Sequence, residues 1–257
     1  MATLTHFSLF TGIGGIDLAA EWAGFETVGQ CEFADYPTKV LEKHWPDVPR
    51  WRDVRDVTTE SVRERIGGGE ITIISGGFPC QPHSVAGKHK GADDERDLWP
   101  EFRRIVGEIA PKWVLGENVP GLFASDDGRF FGGILYDLAS LGYSVGWATY
   151  GAYCVGAKHK RERVFIVAYI NSKRVERCAA KQILQKFNLS ERQISEPFQN
   201  AERRFDTYKS RLLRSLHGIP NGVGAVKALG NSVVPQQIYP ILQAIADIEM
   251  GLIECTT

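Results

Sequence analysis

Residues 71–82 read ITIISGGFPCQP, an apolar β-branched run followed by two glycines and then by a cysteine between two prolines. The run has the length and composition of a buried strand. The glycines end that strand, and Pro79 and Pro82 fix the backbone on both sides of Cys80. Open α/β sheets perform their chemistry in loops at the carboxyl ends of buried strands. Cys80 is therefore the first candidate catalytic residue.

Upstream of this run, the sequence predicts the opening unit of a nucleotide-binding α/β domain. Residues 5–10 predict a strand, TGIGG follows at 11–15, and a helical pattern comes next. Glycines let a ligand approach the backbone closely, and a helix N-terminus offers free N–H groups. Residues 27–32 predict a second strand that ends in Glu32. That residue comes about 20 positions after the turn, where dinucleotide-type folds place a carboxylate on ribose hydroxyls.

The remaining pattern extends this domain. A third strand is predicted to close at Asp53 and Val54, where an aspartate is suited to accept a hydrogen bond from the exocyclic amine of an adenine. A helix begins near Leu98, and a fifth strand at 112–116 is followed by Glu117. Further strands are predicted at 143–150 and 163–170, and a helix near the C-terminus. The pattern predicts an α/β fold with a mixed, mostly parallel sheet and helices on both faces.

Composition and charge limit the classes of function. A chain of 257 residues, 43% apolar and 24% charged, buries one sizeable core and leaves room for a small lobe. The net charge is −1, but residues 158–214 carry 15 Lys and Arg against 6 Asp and Glu. That segment therefore has a net charge of +9 and the remainder −10. A basic segment on an acidic body indicates phosphate contacts on one side, although a solvated surface lobe has the same composition.

Other signals exclude membrane and extracellular classes. We expect no membrane span, since no stretch of about 18 apolar residues occurs, and the N-terminus lacks the pattern of a signal peptide. Five scattered cysteines without a CxxC pair fit neither a zinc site nor a disulfide framework. We therefore expect a cytoplasmic protein without a metal.

Six motifs together resemble the DNA cytosine-5 methyltransferases, in the order of that family. They are FTGIG at 10–14, PCQ at 79–81, ENV at 117–119, RER at 161–163, GNSVVP at 230–235, and the acids Glu32 and Asp53 between the first two. The resemblance covers about four-fifths of the chain and omits only the basic segment. It implies a class I S-adenosylmethionine-dependent, Rossmann-like catalytic domain at 1–170 and 220–257. It also implies a small basic target-recognition lobe at 171–219.

The resemblance also assigns roles to individual residues. The implied catalytic residues are Cys80, Glu117, Arg161 and Arg163. The implied contacts to S-adenosylmethionine are Phe10, Gly12, Gly14, Glu32, Asp53, Val54, Pro79, Leu98, Asn231 and Ser232. The implied substrate contacts are Gln81, Asn118, Val119 and His159. The implied partners are double-stranded DNA, from which the target base must be flipped, and a cognate restriction endonuclease. We expect a monomer in the cytoplasm of a bacterium or of a phage-infected cell.

The implied reaction is methyl transfer to carbon 5 of cytosine through a covalent cysteine adduct. Carbon 5 becomes nucleophilic only when a thiolate adds to carbon 6. Glu117 is the candidate for protonating, or bonding to, N3 of the ring. An ordinary glutamic acid is protonated about 0.2% of the time at pH 7, which corresponds to a cost of about 3.7 kcal/mol. A buried site lowers that cost by raising the pKa.

Two departures from the family pattern leave alternatives open. His159 and Lys158 stand where the family usually has Gln and often has Pro, and the variable region is only about 45–55 residues long. Related enzymes methylate cytosine in transfer RNA, and an inactive relative that only binds DNA would also carry this fold. A nicotinamide oxidoreductase would explain the glycine turn and Glu32, but gives no reason for Cys80 and Glu117.

Overall fold

The computed structural model describes residues 3–79, 97–170 and 232–252, which form a seven-stranded sheet with helices on both faces. The strands are β1 (Leu4–Leu9), β2 (Phe25–Cys31), β3 (Arg50–Trp51), β4 (Ile73–Gly76), β5 (Trp113–Asn118), β6 (Tyr143–Tyr150) and β7 (Arg163–Ile170). The α-helices in these ranges are α1 (Gly15–Trp22), α2 (Asp35–His44), α3 (Thr59–Ile66), α4 (Trp99–Ile109), α5 (Arg129–Ser140) and α6 (Pro235–Glu249). Short 3₁₀ segments follow β3, β5 and β6 at Val54–Asp56, Pro120–Gly128 and Ala152–Val155.

The strand order is β3-β2-β1-β4-β5-β7-β6. The strands β1 to β5 pair in parallel, whereas β7 runs antiparallel to both β5 and β6. The carboxyl ends of the parallel strands therefore meet at one edge of the sheet, together with the amino end of β7. The predicted mixed, mostly parallel sheet is confirmed.

Alternation along the strands divides the core between the two faces of the sheet. Phe7 and Leu9 of β1 pack on one face with the apolar sides of α3, α4 and α5. Leu4 of the same strand packs on the opposite face with α1 and α6. Helix α6 thus brings the last described segment, 232–252, against the first helix of the chain. Helices on both faces agree with the prediction.

Among the strand boundaries that differ from those predicted, two affect predicted site residues. The fifth strand does not stop at residue 116, because Glu117 pairs with Phe165 and Asn118 pairs with Val164 across the β5–β7 ladder. The backbone of Glu117 therefore lies within β5 and is fixed by the hydrogen bonds of the β5–β7 ladder. The third strand ends at Trp51 instead of Asp53, because the Asp53 carboxylate caps the following 3₁₀ turn.

None of the helices in the described ranges combines the length and apolar character needed to cross a bilayer. The predicted recognition lobe at 171–219 lies outside the described residues, and its boundaries stay a prediction.

Candidate functional site

The turn between β1 and α1 is built from backbone in unusual conformations. Phe10, Gly12 and Gly14 have φ angles of 51°, 59° and 83°, in the left-handed region that favours glycine. A Cβ added at Gly12 would meet no atom within 4 Å, so the space beside it is open. A Cβ at Gly14 would instead lie 2.4 Å from the ring of Trp45. The turn therefore presents bare backbone to an open space and packs tightly behind.

Glu32 joins this turn to the next one. Its Oε2 accepts a hydrogen bond from the backbone N–H of Gly12 at 2.7 Å, and its Oε1 accepts one from that of Ala34 at 2.8 Å. The sequence spacing of 20 residues thus becomes a direct contact at the carboxyl edge. Each carboxylate oxygen has a second lone pair, so Glu32 retains the capacity to accept bonds from a ligand hydroxyl.

Phe33 extends the same edge and was not among the residues singled out from the sequence. Its ring is 74% exposed, although it directly follows the strand-terminal carboxylate. Arg52 fixes the backbone there by donating to the carbonyl of Phe33 at 2.6 Å. The sequence signal that could have identified Phe33 was an aromatic residue directly after Glu32.

The predicted adenine contacts lie on the next loop. The Asp53 carboxylate accepts from the backbone N–H of Arg55 at 2.9 Å and forms an ion pair with its guanidinium at 3.2 Å. Val54 is buried in the core, and Leu98 packs against the same core. Both side chains belong to the packing of the core, and a ligand role for either of them stays a prediction.

A second group of predicted residues lies at the ends of β4 and β5. A Cβ at Gly77 would come 2.9 Å from Oε2 of Glu117, so a side chain at this position would crowd the carboxylate. Asn118 donates from Nδ2 to the carbonyl of Phe78 at 3.0 Å, and its Oδ1 accepts from the N–H of Val119 at 2.8 Å. Asn118 therefore holds the segment that leads through Pro79 towards Cys80, and Glu117 lies beside that segment.

Glu117 forms a buried ion pair. The Nε of Arg163 lies 2.7 Å from its Oε1, and both side chains are largely withdrawn from solvent. Burial raises the pKa of the Glu117 carboxyl above its usual range, while the positive charges of Arg163 and Arg161 act in the opposite direction. The strand register is consistent with the contact, because Glu117 pairs with Phe165, and Arg163 lies two residues before Phe165 on the same face of β7.

Arg161 connects this pair to the C-terminal segment. Its Nη2 donates to the carbonyl of Ser232 at 2.5 Å, and its φ angle of 27° is in the left-handed region. Burial lowers the pKa of the Arg161 guanidinium, and the charge of Arg163 adds to this effect. Val233 packs its carbonyl against Gly15 of α1, at 2.6 Å from the position of a Cβ. The closing segment thus lies beside the first helix.

The remaining predicted residues divide into exposed and undescribed positions. Val119 and His159 are exposed at the surface. Cys80, Gln81 and Asn231 lie outside the described residues. The structure brings the other predicted residues to one edge of the sheet, in a first cluster around Gly12 and Glu32 and a second around Glu117.

Comparison with curated proteins gives a consistent result. The family model described as C-5 cytosine-specific DNA methylase matches residues 4–219. The chain is 38% identical over 161 residues to the type II methyltransferase M.PspPI of Psychrobacter sp. (strain TA137), covering 62% of this chain and 38% of that protein. It is 35% identical over 167 residues to M.BsuFI of Bacillus subtilis, covering 65% and 39%. It is 34% identical over 172 residues to M.AquIA of Picosynechococcus sp., covering 62% and 69%.

Solved structures agree with these sequence matches. A protein of E. coli described as a DNA modification methyltransferase encoded within a prophage matches with a TM-score of 0.58 at 27% identity, over 65% of this chain and 47% of that one. The S. pombe Dnmt2 methyltransferase matches with a TM-score of 0.57 at 17% identity, over 74% and 57%, which supports the fold alone. The chain spans less than half the length of M.PspPI and M.BsuFI.

Proposed function

The chain belongs to the C-5 cytosine-specific DNA methylase family, and we propose that it transfers a methyl group from S-adenosylmethionine to carbon 5 of cytosine in double-stranded DNA. One observation carries the proposal. A buried glutamate, paired with an arginine, lies against the loop that leads towards Cys80, Asn118 holds that loop, and a backbone-lined turn lies at the same sheet edge. A methyl donor and a nucleobase would thus meet at neighbouring strands.

The first cluster fits S-adenosylmethionine. Gly12 offers a bare backbone beside an open space, Glu32 has free lone pairs for ribose hydroxyls, and Phe33 offers an exposed ring for an adenine. Asp53 and Ser232, two further predicted cofactor contacts, lie on the adjoining segments. When bound, the cofactor supplies an electrophilic methyl group.

The second cluster fits the pyrimidine. Burial favours the neutral acid form of Glu117, which donates a proton to N3 of cytosine and so lets the ring accept electrons. Arg163 limits this effect, because its guanidinium favours the carboxylate. The two influences thus act on the pKa of the Glu117 carboxyl in opposite directions. Arg163 also keeps the carboxyl oriented.

The covalent step requires Cys80, which directly follows Pro79 in the chain. Its thiolate bonds to carbon 6, the C5–C6 double-bond electrons move to carbon 5, and N3 takes the proton from Glu117. Carbon 5 would then take the methyl group of S-adenosylmethionine, as the bond between that methyl group and the sulfonium sulfur breaks to leave S-adenosylhomocysteine. A base removes the remaining carbon-5 proton, the C5–C6 double bond reforms, and the C6–S bond breaks to release the thiolate. The proton on N3 returns to Glu117.

Cys80→Ala tests the proposal directly. We expect it to abolish methyl incorporation into duplex DNA while leaving DNA affinity within about threefold of that of the unmodified chain, since the sulfur forms the adduct. A duplex with 5-fluorocytosine at the target traps the adduct, because the fluorine cannot leave as a proton does. The trapped complex is measured as a band shift that resists denaturation. Cys154→Ala is the matched control, since Cys154 is an exposed free thiol.

The same assay separates the rival functions. Turnover or a trapped adduct with Cys80→Ala would refute the assigned nucleophile. Methylation of transfer RNA but not of duplex DNA would support the transfer RNA alternative. DNA binding without any labelling from S-adenosylmethionine would leave only an inactive DNA-binding relative.

We also propose that the basic segment at 171–219 reads the target sequence. Its positive charge supports phosphate contacts, so affinity for DNA should fall steeply as the salt concentration rises. Sequencing of modified cytosines after expression in an unmethylated host identifies the target. A restriction endonuclease that cuts the same sequence is the partner that the type II relatives suggest.

A further inference from the structure

We propose that Gln237 is a positioning residue for Arg161. Through Arg161, the segment that begins at Ser232 is linked to the site around Glu117. The inference rests on the proposed function, because it assigns Arg161 to the same site. The juxtaposition that carries it is a buried amide on α6 bonded to the backbone on both sides of the loop between β6 and β7.

The contacts of Gln237 form a bridge between two elements. Its side chain is fully buried, and its Nε2 donates to the carbonyl of Arg161 at 3.0 Å and to that of Tyr150 at 3.2 Å. The hydroxyl of Tyr150 donates in return to the backbone carbonyl of Gln237. Tyr150 ends β6 and Arg161 precedes β7, so one amide joins both sides of the hairpin to the first turn of α6.

Arg161 needs such support. A left-handed φ in a residue other than glycine is energetically unfavourable and persists where surrounding contacts impose it. Its guanidinium reaches the carbonyl of Ser232 through Nη2, while its Nε has no hydrogen-bond partner within the described part of the chain. The bond from Gln237 to the Arg161 carbonyl fixes the backbone from which that side chain extends.

A purely structural role would not require an amide at this position. Other fully buried residues of α6 are aliphatic, such as Ile238, Ile241 and Leu242. The Oε1 of Gln237 has no partner among the described residues, and an unsatisfied buried polar atom costs stability. A leucine there would avoid that cost. What the amide adds is the pair of bonds to Arg161 and Tyr150.

A double-mutant cycle tests this assignment. Gln237→Leu, Arg161→Ala and the double variant are compared for kcat on duplex DNA and for the dissociation constant of S-adenosylhomocysteine. We expect Gln237→Leu to lower kcat by about tenfold or more and to weaken S-adenosylhomocysteine binding, because Arg161 no longer holds Ser232. If Gln237 acts through Arg161, the double variant is no worse than Arg161→Ala alone.

Gln243→Leu is the matched control on the same helix. Gln243 bonds to Tyr239 and Asp247 of the same helix, away from Arg161. We expect its kcat to stay within about twofold of that of the unmodified chain, and its effect to multiply with that of Arg161→Ala. Tyr150→Phe keeps the ring in its tilted contact with Phe165 and removes the return bond from its hydroxyl. We expect it to give a smaller loss in the same direction, which keeps the test valid if Gln237→Leu does not fold.

Two results would overturn the proposal. One is a Gln237→Leu variant with unchanged kcat and unchanged S-adenosylhomocysteine affinity. The other is multiplicative effects in the cycle, which would mean that Gln237 supports folding independently of Arg161. If the unmodified chain methylates nothing, the proposed function fails by itself, and the cycle on S-adenosylhomocysteine affinity still decides the role of Gln237.

Discussion

The two halves of the candidate site are built from different materials. The half at the ends of β1 and β2 is made largely of backbone, where the N–H groups of Gly12 and Ala34 donate to the Glu32 carboxylate. The half at the ends of β4 and β5 is made of charge, since Glu117 and Arg163 form an ion pair that is largely withdrawn from solvent. Backbone groups recognise the shape of a ligand with little dependence on pH. In a buried ion pair, by contrast, both the proton chemistry and the orientation of the groups depend on single side chains.

The largest expected effect comes from the charged half. We expect Glu117→Gln to lower the methylation rate by about 10²–10⁴-fold, the range usual for removing a general acid, because the amide cannot deliver a proton to N3. Affinity for S-adenosylhomocysteine should stay within about threefold, since the backbone-built half is untouched. Initial rates on duplex DNA and calorimetry of S-adenosylhomocysteine binding measure the two quantities.

Glu108→Gln is the control for this variant. Glu108 lies on α4 and pairs with Arg104 at the surface, so the substitution makes the same chemical change away from the site. A Glu117→Gln variant that kept its rate would show that the buried pair is structural only. A matching loss of S-adenosylhomocysteine affinity would show that the two halves are not separable.

Beneath the backbone-built half lies a buried carboxylate with neutral partners. Asp17 of α1 accepts hydrogen bonds from the Ser8 hydroxyl at 3.1 Å and from Nε2 of Gln30 at 2.9 Å. Burial raises the pKa of Asp17 from 3.8 to about 6, against the effect of these bonds. The group therefore holds a proton in the folded chain at pH values where the unfolded chain has lost it.

The sign of the resulting pH dependence follows from linkage. Between about pH 4 and pH 6 the folded state binds more protons at Asp17 than the unfolded state, so its contribution to stability falls as the pH rises, by about 3 kcal/mol at most. We expect Asp17→Asn to flatten this part of the profile. The measurement is the free energy of unfolding in urea at pH 4, 5, 6 and 7. An unchanged slope would contradict the assignment.

The buried His6 acts in the opposite direction and must be separated from Asp17. Its ring lies between the hydroxyls of Thr27 and Ser75, and burial lowers the pKa of His6 from 6.5 to about 3. Its contribution is therefore present above about pH 6.5 and is lost as the pH falls. In the Asp17→Asn variant, the rise in the free energy of unfolding with pH that comes from His6 should remain. The same pH profile therefore checks both residues.

Much of this architecture follows from local sequence, and the exceptions have physical causes. The strand at 163–170 is predictable because residues 164–169 form a continuous apolar run, all of it buried. The strand at 143–150 is predictable because aromatic and β-branched residues alternate along it. The contact between Glu32 and Gly12 is predictable in outline, since two neighbouring parallel strands end together. The bond between Gln237 and Arg161 is not, because it joins residues 76 positions apart and depends on how α6 docks.

The boundary error at β5 has a similar origin. The tripeptide at 117–119 looks like a loop that follows a strand, but the antiparallel pairing with β7 extends the ladder through Asn118. That pairing is a tertiary event that the local sequence does not encode. It also brings the start of β7, with Arg163, beside the end of β5, so a pairing that local sequence does not show shapes the charged half.

The smallest expected effect separates binding from packing within the backbone-built half. Gly12→Ala and Gly14→Ala both place a side chain in the left-handed region, at a cost of about 1–2 kcal/mol. The Cβ at position 12 points into open space, whereas the one at 14 meets the Trp45 ring at 2.4 Å. Gly14→Ala should therefore lose more stability than Gly12→Ala. Gly12→Ala should weaken S-adenosylhomocysteine by about tenfold, equivalent to about 1.4 kcal/mol, because its methyl group occupies the space assigned to the cofactor. Urea unfolding and calorimetry on both variants provide the comparison, and equal losses of affinity with equal losses of stability would show that Gly12 only shapes the turn.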